Sequence, residues 1–273
     1  MPLHCGKFQL KLDRPLVMGI VNVTPDSFSD GGRYVSTAAA IAHAHKLMAD
    51  GADILDVGGE STRPGAQPVA LQEELDRVLP VIEGLRNIDV PISIDTFKPA
   101  VMRAAIAAGA QMVNDINALQ EAEALQAVAT SDVAVCLMHK QGISQTMQQQ
   151  PEYRDVVDEV AEFLRDRIAA AEAAGIARER IVIDPGFGFG KTLAHNLGLL
   201  RHMDAMCALG VPVLAGLSRK SMLGAITGRD VGERQAASVA AALIAVQRGA
   251  AIVRVHDVRE TVDALKVWQA IDG

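Results

Sequence analysis

Leu16-Val17-Met18-Gly19-Ile20-Val21 runs into Asn22, and Ile54-Leu55-Asp56-Val57 runs into Gly58-Gly59-Glu60. The same pattern recurs along the chain. Ile92-Ser93-Ile94 meets Asp95-Thr96, Gln111-Met112-Val113 meets Asn114-Asp115, and Val133-Ala134-Val135-Cys136-Leu137-Met138 meets His139. Ile181-Val182-Ile183 ends at Asp184-Pro185-Gly186, Val213-Leu214-Ala215-Gly216-Leu217 at Ser218-Arg219-Lys220, and Ala251-Ile252-Val253 at Arg254-Val255-His256. Near-continuous apolar strands separated by helix-like segments describe a parallel sheet covered on both faces. Eight such units in about 250 residues predict a (β/α)8 TIM barrel, an α/β fold, as a single domain over residues 1–273. Chemistry in that fold sits at the C-terminal strand ends, which is where this chain places its polar residues.

The intervening segments carry helix signals. Residues 36–50 are Ala-rich and close at Gly51, and residues 70–86 repeat Leu71, Leu75, Val78, Leu79 and Ile82 at helical spacing. Residues 99–108 begin with Pro and stop before Gly109. The longest helix is predicted over residues 153–174, with others over 196–209, 232–248 and 258–271 and a shorter one over 121–130. Two strand-to-helix loops, residues 24–32 and 58–66, are long and rich in Gly, Pro and Ser, which marks them as lid candidates. Residues 141–151 are polar and Gln-rich and read as an ordinary surface loop.

Composition narrows the function. A formal charge of −7 with no basic stripe argues against nucleic-acid binding. Hydrophobic residues make up 49% of the chain and aromatics only 3%, as expected for α/β packing. The N-terminal residues lack a signal-peptide core, and no apolar stretch is long enough to span a bilayer. Cys5, Cys136 and Cys207 are scattered and odd in number, so they read as reduced thiols in a cytoplasm.

At the strand ends, Asp56, Asp95, Asp115 and Asp184 with Asn22 and Asn114 form a ring of short polar side chains. Such residues also serve as turn formers and helix caps, and Asp56 reads as one of these or as a support for another site residue. Asp95 and Asp184 directly follow apolar runs, so each carboxylate is expected over the barrel mouth, facing a heterocycle or a developing cation. Arg63, Arg219, Lys220, Arg254 and His256 bring positive charge to the same face of an acidic protein. Barrels often bind phosphate after strands 7 and 8, so a phosphate ester or pyrophosphate is expected.

The run Asp184-Pro-Gly-Phe-Gly-Phe-Gly-Lys-Thr192 is no nucleotide loop. A P-loop needs Gly where Pro185 stands, and the dinucleotide fingerprint needs Gly at Lys191. What remains presents Phe187 and Phe189, one or both as a ligand wall, with hinge packing an equal reading for Phe187. His43 and His45 lie two apart and cannot share a helix face, His139 reads as a core imidazole, and His256 reads as a ligand contact. Ser218 and Ser221 show no His/Asp partner in the sequence and Gly-x-Ser-x-Gly is absent, so no covalent nucleophile is expected.

The runs Met18-Gly-Ile-Val-Asn-Val-Thr-Pro-Asp-Ser-Phe-Ser-Asp-Gly-Gly32 and Asp53-Ile-Leu-Asp-Val-Gly-Gly-Glu-Ser-Thr-Arg-Pro-Gly65 closely resemble the dihydropteroate synthase family of pterin-binding enzymes. So do Ile92-Ser-Ile-Asp-Thr96, Asn114-Asp-Ile116, Ile183-Asp-Pro-Gly-Phe-Gly-Phe-Gly-Lys191, Gly216-Leu-Ser-Arg-Lys-Ser221 and Arg254-Val-His-Asp-Val258. Lys140 departs from the apolar residue expected after Met138-His139.

The resemblance implies a homodimeric transferase of folate synthesis. It would condense 6-hydroxymethyl-7,8-dihydropterin pyrophosphate with 4-aminobenzoate, release pyrophosphate, and be blocked by sulfonamides. It further implies that Asp184, Asn114 and Lys220 hold the pterin edge, with Ile116, Met138, Phe189 and Gly216 around the ring and Arg254 on its face. Asn22, Arg63, Arg254 and His256 would hold pyrophosphate, with Mg2+ on Asn22 and Asp30. Phe28, Thr62, Arg63, Pro64, Phe189 and Ser221 would form the 4-aminobenzoate pocket. The catalytic set so implied is Asp95, Arg63, Lys220 and Asp30, with Asp95 facing the pterin cation left by pyrophosphate loss. The amine is already neutral, which fits the missing catalytic triad. The two loops are expected to complete the amine pocket after pyrophosphate and Mg2+ bind. A pterin-binding methyltransferase and a non-catalytic dimeric homologue are the alternatives; the intact runs 61–64 and 218–221 argue against the first, and the lack of degraded loops against the second.

Overall fold

A computed structural model describes residues 2–23, 32–61, 65–142, 147 and 151–272. Eight parallel strands form the barrel: β3 (Leu16–Asn22), β4 (Ile54–Gly58), β5 (Ile92–Asp95), β6 (Met112–Asp115), β7 (Ala134–Met138), β8 (Ile181–Asp184), β9 (Leu214–Ala215) and β10 (Ile252–Val255). A helix follows every strand: α1 (Gly32–Ala49), α2 (Leu71–Leu85), α3 (Pro99–Ala108), α4 (Ala122–Ala129), α5 (Val156–Ala173), α6 (Leu193–Arg201) with α7 (Asp204–Cys207), α8 (Ser221–Thr227) with α9 (Gln235–Gln247), and α10 (Val258–Asp272).

The two-residue period of a strand sorts the side chains. Val17, Val21, Leu55, Val57, Ile94, Val113, Val135, Leu137 and Ile183 face the helices in one large apolar layer. Their alternates fill the lumen: Leu16, Met18, Ile54, Met112, Ala134, Cys136, Val182, Leu214 and Ile252 pack as a separate cluster. Continued by two residues, each inward series reaches the mouth and, on most strands, changes character. Met18 leads through Ile20 to Asn22, Ile54 to Asp56, Met112 to Asn114, Cys136 to Met138, Val182 to Asp184, and Ile252 through Arg254 to His256. The polar ring of the site is thus the top layer of the lumen.

The lower end is plugged by an element absent from the sequence reading. An antiparallel hairpin of β1 (Leu3–Cys5) and β2 (Phe8–Leu10) places Leu3 and Cys5, both fully buried, against the lumen cluster. The barrel closes unevenly. From β8 round to β10 the strands pair over several residues, but β9 holds only two and meets β8 through the single bridge Ile183–Val213.

Helix limits differ from the sequence reading for local reasons. The helix expected from residue 153 starts at Val156, because the Asp155 carboxylate accepts the N–H groups of Val157 and Asp158, while Tyr153 instead donates its hydroxyl to the Gly190 carbonyl at 2.9 Å. The helix expected over 196–209 is two helices, α6 entered through a Thr192–His195 capping box and α7 after a break at residues 202–203. Residues 231–233 form a 3-10 turn before α9, and α8 was not anticipated. The three cysteines are free thiols, two of them buried.

Candidate active site

The mouth holds a cavity of about 400 Å³, bordered by Ile20, Asn22, Asp95, Asn114, Ile116, Met138, Asp184, Phe189, Gly216, Lys220, Ser221, Arg254 and His256. Every expected site residue that falls among the described ones is therefore in it. Phe28, Asp30, Thr62, Arg63 and Pro64 lie outside the described residues, as does most of the 24–32 loop.

Asp184 sits at the deep end. Its Oδ1 accepts the Gly186 N–H at 2.7 Å, while Oδ2 has no hydrogen-bond partner among the described residues and lies 3.8 Å from where a side chain on Gly216 would begin. Burial raises the Asp184 pKa, against the Gly186 hydrogen bond and the nearby Lys220, Lys191 and Arg254 charges. The backbone immediately turns. Gly186, Gly188 and Gly190 all have left-handed φ (69°, 79° and 61°), and a Cβ on Gly186 would overlap the His139 carbonyl oxygen. That geometry needs three glycines, which accounts for the Gly-rich run without a nucleotide loop.

Two lysines hold this loop. Lys220 donates to the Phe187 carbonyl and lies over the Phe189 ring, 4.1 Å from its centroid. Burial lowers its pKa to about 8. Lys191, only 3% exposed, donates to the carbonyls of Gly186 and Phe189, each at 3.0 Å, and stands 2.9 Å from His139 Nδ1. Burial, then the Lys191 charge, lowers the His139 pKa to about 3, so the neutral ring accepts from the lysine. Phe187 is fully buried and serves packing, and Phe189 faces the cavity. His139 is the core imidazole anticipated, edge-on to Phe163. Lys140 points to the Phe97 ring, 5.9 Å away, and does not border the cavity.

Opposite stands an ionic cluster. Arg254 donates Nε to Asp56 Oδ2 at 2.5 Å and Nη2 to Asp95 Oδ2 at 2.7 Å, and Asn114 donates to the same Asp56 oxygen at 3.1 Å. Asp56, fully buried, therefore orients two cavity residues without reaching the cavity itself. Burial raises the Asp95 pKa to about 7, with Arg254 opposing and Asp56 adding to the rise. The second oxygens of Asp56 and Asp95 are buried without a partner among the described residues.

One expectation is corrected. Ser218 does have a histidine partner: its Oγ is 2.9 Å from His256 Nδ1 and accepts the His256 N–H at 3.3 Å. The two residues are 38 apart in sequence and meet because β9 and β10 are neighbours. Sequence reading also missed Lys191, taken only as a failed glycine position, and Arg234, which borders the cavity from a turn carrying no motif.

Among the described residues no three His, Cys, Asp or Glu side chains gather as a metal cage. Mg2+ does not require one, since it commonly takes one or two protein ligands and completes its shell with phosphate and water. Asn22 suits that role: its half-buried amide borders the cavity at the end of β3 and has no hydrogen-bond partner among the described residues.

The family model for pterin binding enzymes matches residues 18–256. A dihydropteroate synthase of Neisseria meningitidis serogroup C is 53% identical over 273 residues, covering 98% of this chain and 96% of that protein. The Xanthomonas albilineans dihydropteroate synthase with 4-aminobenzoic acid superposes with a TM-score of 0.94 at 58% identity, covering 100% of this chain and 98% of the other. The same organism's enzyme in complex with 7,8-dihydropteroate gives 0.91 at 55% identity, with 100% and 99% covered.

Proposed function

The chain belongs to the pterin-binding enzymes, among the dihydropteroate synthases, and from that membership we infer how its own residues carry the transfer. It condenses 6-hydroxymethyl-7,8-dihydropterin pyrophosphate with 4-aminobenzoate, giving 7,8-dihydropteroate and pyrophosphate.

The free Oδ2 of Asp184 is the observation that carries the residue assignment. A buried carboxylate with one oxygen aimed into an apolar-walled cavity is matched by the 2-amino and N3 hydrogens of a pterin. Asn114, fixed by Asp56, and Lys220, fixed on Phe187, complete the ring edge, with Ile116, Met138 and Phe189 around it. Asp95 and Arg254 border the same cavity, where the C9 methylene would react.

Asn22, Arg254 and His256, joined by Arg63, hold the pyrophosphate. Asn22, with Asp30, would hold Mg2+, whose chemistry when bound would be to spread the pyrophosphate charge and so favour its departure. Departure leaves a positive charge on the pterin, and the Asp95 carboxylate stabilises it in a site with little water. The amine attacks as a neutral nucleophile, and the proton it loses can leave to solvent. Arg254 serves both partners, since its single charge is shared between Asp56 and Asp95 while they position it. Phe189 and Ser221, with Phe28, Thr62, Arg63 and Pro64, take the arylamine, and sulfonamides compete there.

A homodimer fits the exposed Ile226, Ile244, Val267 and Ile271 on α8, α9 and α10, helices that pack in succession. The free thiols support a reducing, cytoplasmic setting; among the described residues no helix is long and apolar enough to cross a membrane.

Incubation with both substrates and Mg2+ tests the reading. One pyrophosphate should be released per dihydropteroate formed, and Asp184→Asn should lose pterin binding while remaining folded. Wild-type-like pterin affinity in that variant would reject Asp184 as the anchor.

A further inference from the structure

Four cationic side chains border the cavity among the described residues: Arg219, Lys220, Arg234 and Arg254. Arg254 pairs with Asp56 and Asp95 and, in the proposed mechanism, also reaches the pyrophosphate. Arg219 is turned onto Asp257, with N–O distances of 2.6 and 3.2 Å. Lys220 is tied to the Phe187 carbonyl and lies within the fields of Asp184 and Asp95. Arg234 alone faces only neutral acceptors. Its Nε donates to the Arg229 carbonyl at 2.9 Å and its Nη1 to the carbonyls of Arg219 and Lys220 at 3.2 and 3.5 Å. No carboxylate of the described residues pairs with it.

Its seat is built for it. Gly224 lies inside α8, where a glycine is unfavourable by roughly 1 kcal/mol relative to alanine. A Cβ there would overlap Arg234 Nη2 and come within 2.5 Å of its Cζ, so the guanidinium rests on bare backbone. Nη1 and Nε are used on carbonyls, and Nη2 has no acceptor among the described residues. The neighbours are those of the outer lip: Ser221 and Val231 are exposed, whereas Asp184, Asn114 and Met138 at the deep end are buried.

A cation with no counter-anion among the described residues, held in a fitted seat at the lip of a cavity in a protein of net charge −7, marks where an anionic group docks. The pyrophosphate belongs to Asn22, Arg254 and His256. The anion that remains is the carboxylate of the second substrate. We propose that Arg234 is a specificity-determining residue, its guanidinium pairing with the carboxylate of 4-aminobenzoate while the amine points inward to the pterin methylene. This rests on the assignment of the Ser221 side of the cavity to the arylamine.

The test compares a charged and a neutral arylamine. Arg234→Gln keeps an amide donor for the carbonyls and removes the charge. In it, the KM for 4-aminobenzoate should rise about tenfold or more, as expected for losing a charge-assisted pair. The KM for the pterin pyrophosphate and the inhibition constant of uncharged sulfanilamide should stay within about twofold. Arg234→Lys should recover part of the loss. Equal weakening of 4-aminobenzoate and sulfanilamide would show that Arg234 only braces the turn at Arg219 and Lys220, and would overturn the proposal, as would no change in either. If Arg234→Gln does not fold, Gly224→Ala, which displaces the guanidinium with its charge intact, must show the same selective KM rise. Absence of condensation by the wild-type enzyme, run alongside, would overturn the functional reading itself, whereas a failure confined to the variants overturns Arg234 alone.

Discussion

Asp184 is a buried carboxylate kept half-satisfied. Its ionised form is supported by one N–H and by the fields of Lys220, Lys191 and Arg254, and the free oxygen leaves a desolvated acceptor that a paired donor edge can fill. Losing that pair should cost on the order of 2–4 kcal/mol, so Asp184→Asn should bind a pterin tens- to several hundred-fold more weakly by calorimetry. Lys220 gives a pH signature. Its pKa is lowered to about 8, so the ammonium proposed to face the pterin is charged below that pH and lost above it. The alkaline limb of kcat/KM should therefore fall with an apparent pKa near 8, and in Lys220→Arg, whose side chain stays charged, that limb should move upward by more than a unit. An unmoved limb would assign it to another group. For stability the sign is distinct: a lysine lowered in the folded state favours folding above its unfolded pKa, and that contribution fades as pH falls toward 8. The Mg2+ site proposed at Asn22 would make a metal requirement separable from folding. EDTA should abolish turnover and leave the melting temperature nearly unchanged, because one amide ligand contributes little to the fold. Full turnover in EDTA would refute the metal role.

The loop between β8 and α6 shows what an element adds to its residues. Three left-handed glycines, two lysine clamps and the Tyr153 hydroxyl fix a backbone that places Asp184, Phe187 and Phe189 at three different depths. Gly186→Ala would put a methyl on the His139 carbonyl at φ +69°, and should destabilise by about 3 kcal/mol or more in urea unfolding with pterin binding lost. A shift under 1 kcal/mol would mean that the turn relaxes freely. How much of this was legible follows from the range over which each signal acts. Strands and their polar ends were readable, because the period of two sends Met18, Ile20 and Asn22, or Val182 and Asp184, along one inward line. The β1–β2 hairpin escaped notice since three-residue strands carry too little pattern. The early start of α6 follows from the Thr192 cap, and its break from α7 from a turn at residues 202–203, neither of which apolar spacing reports. Ser218–His256, Asp56–Arg254 and the seat of Arg234 on Gly224 were hidden for a different reason. The first two depend on strands brought together by closure of the barrel, and the third on a turn within the β9–β10 connection; neither local propensity nor spacing encodes them.

Across the whole molecule, an acidic surface encloses a mouth with several cations, which concentrates anionic substrates at one end. Raising salt should lower kcat/KM for the pterin pyrophosphate more than kcat, as steering is screened. The barrel itself is not uniformly hooped. β3 and β4 pair over five residues, whereas β8 and β9 meet at Ile183–Val213 alone, supported by the Ile183 N–H on the Pro212 carbonyl at 3.0 Å. Amides on β9 and along this seam should exchange with deuterium faster than those of β4 in the free enzyme; equal protection would show that the helices alone keep it shut. Asp184 ends the strand on one side of the seam, and Lys220 follows the strand on the other. A pterin touching both is then a clasp across the weakest joint of the hoop. At a hundredfold excess over its Kd it should add about 2.7 kcal/mol to any opening that releases it. An inhibitor occupying the pterin site would therefore do two opposed things inside a cell. It would silence each enzyme molecule and, by holding the seam closed against proteases that act on opened chains, extend the time that molecule survives, so that blocked enzyme accumulates under treatment.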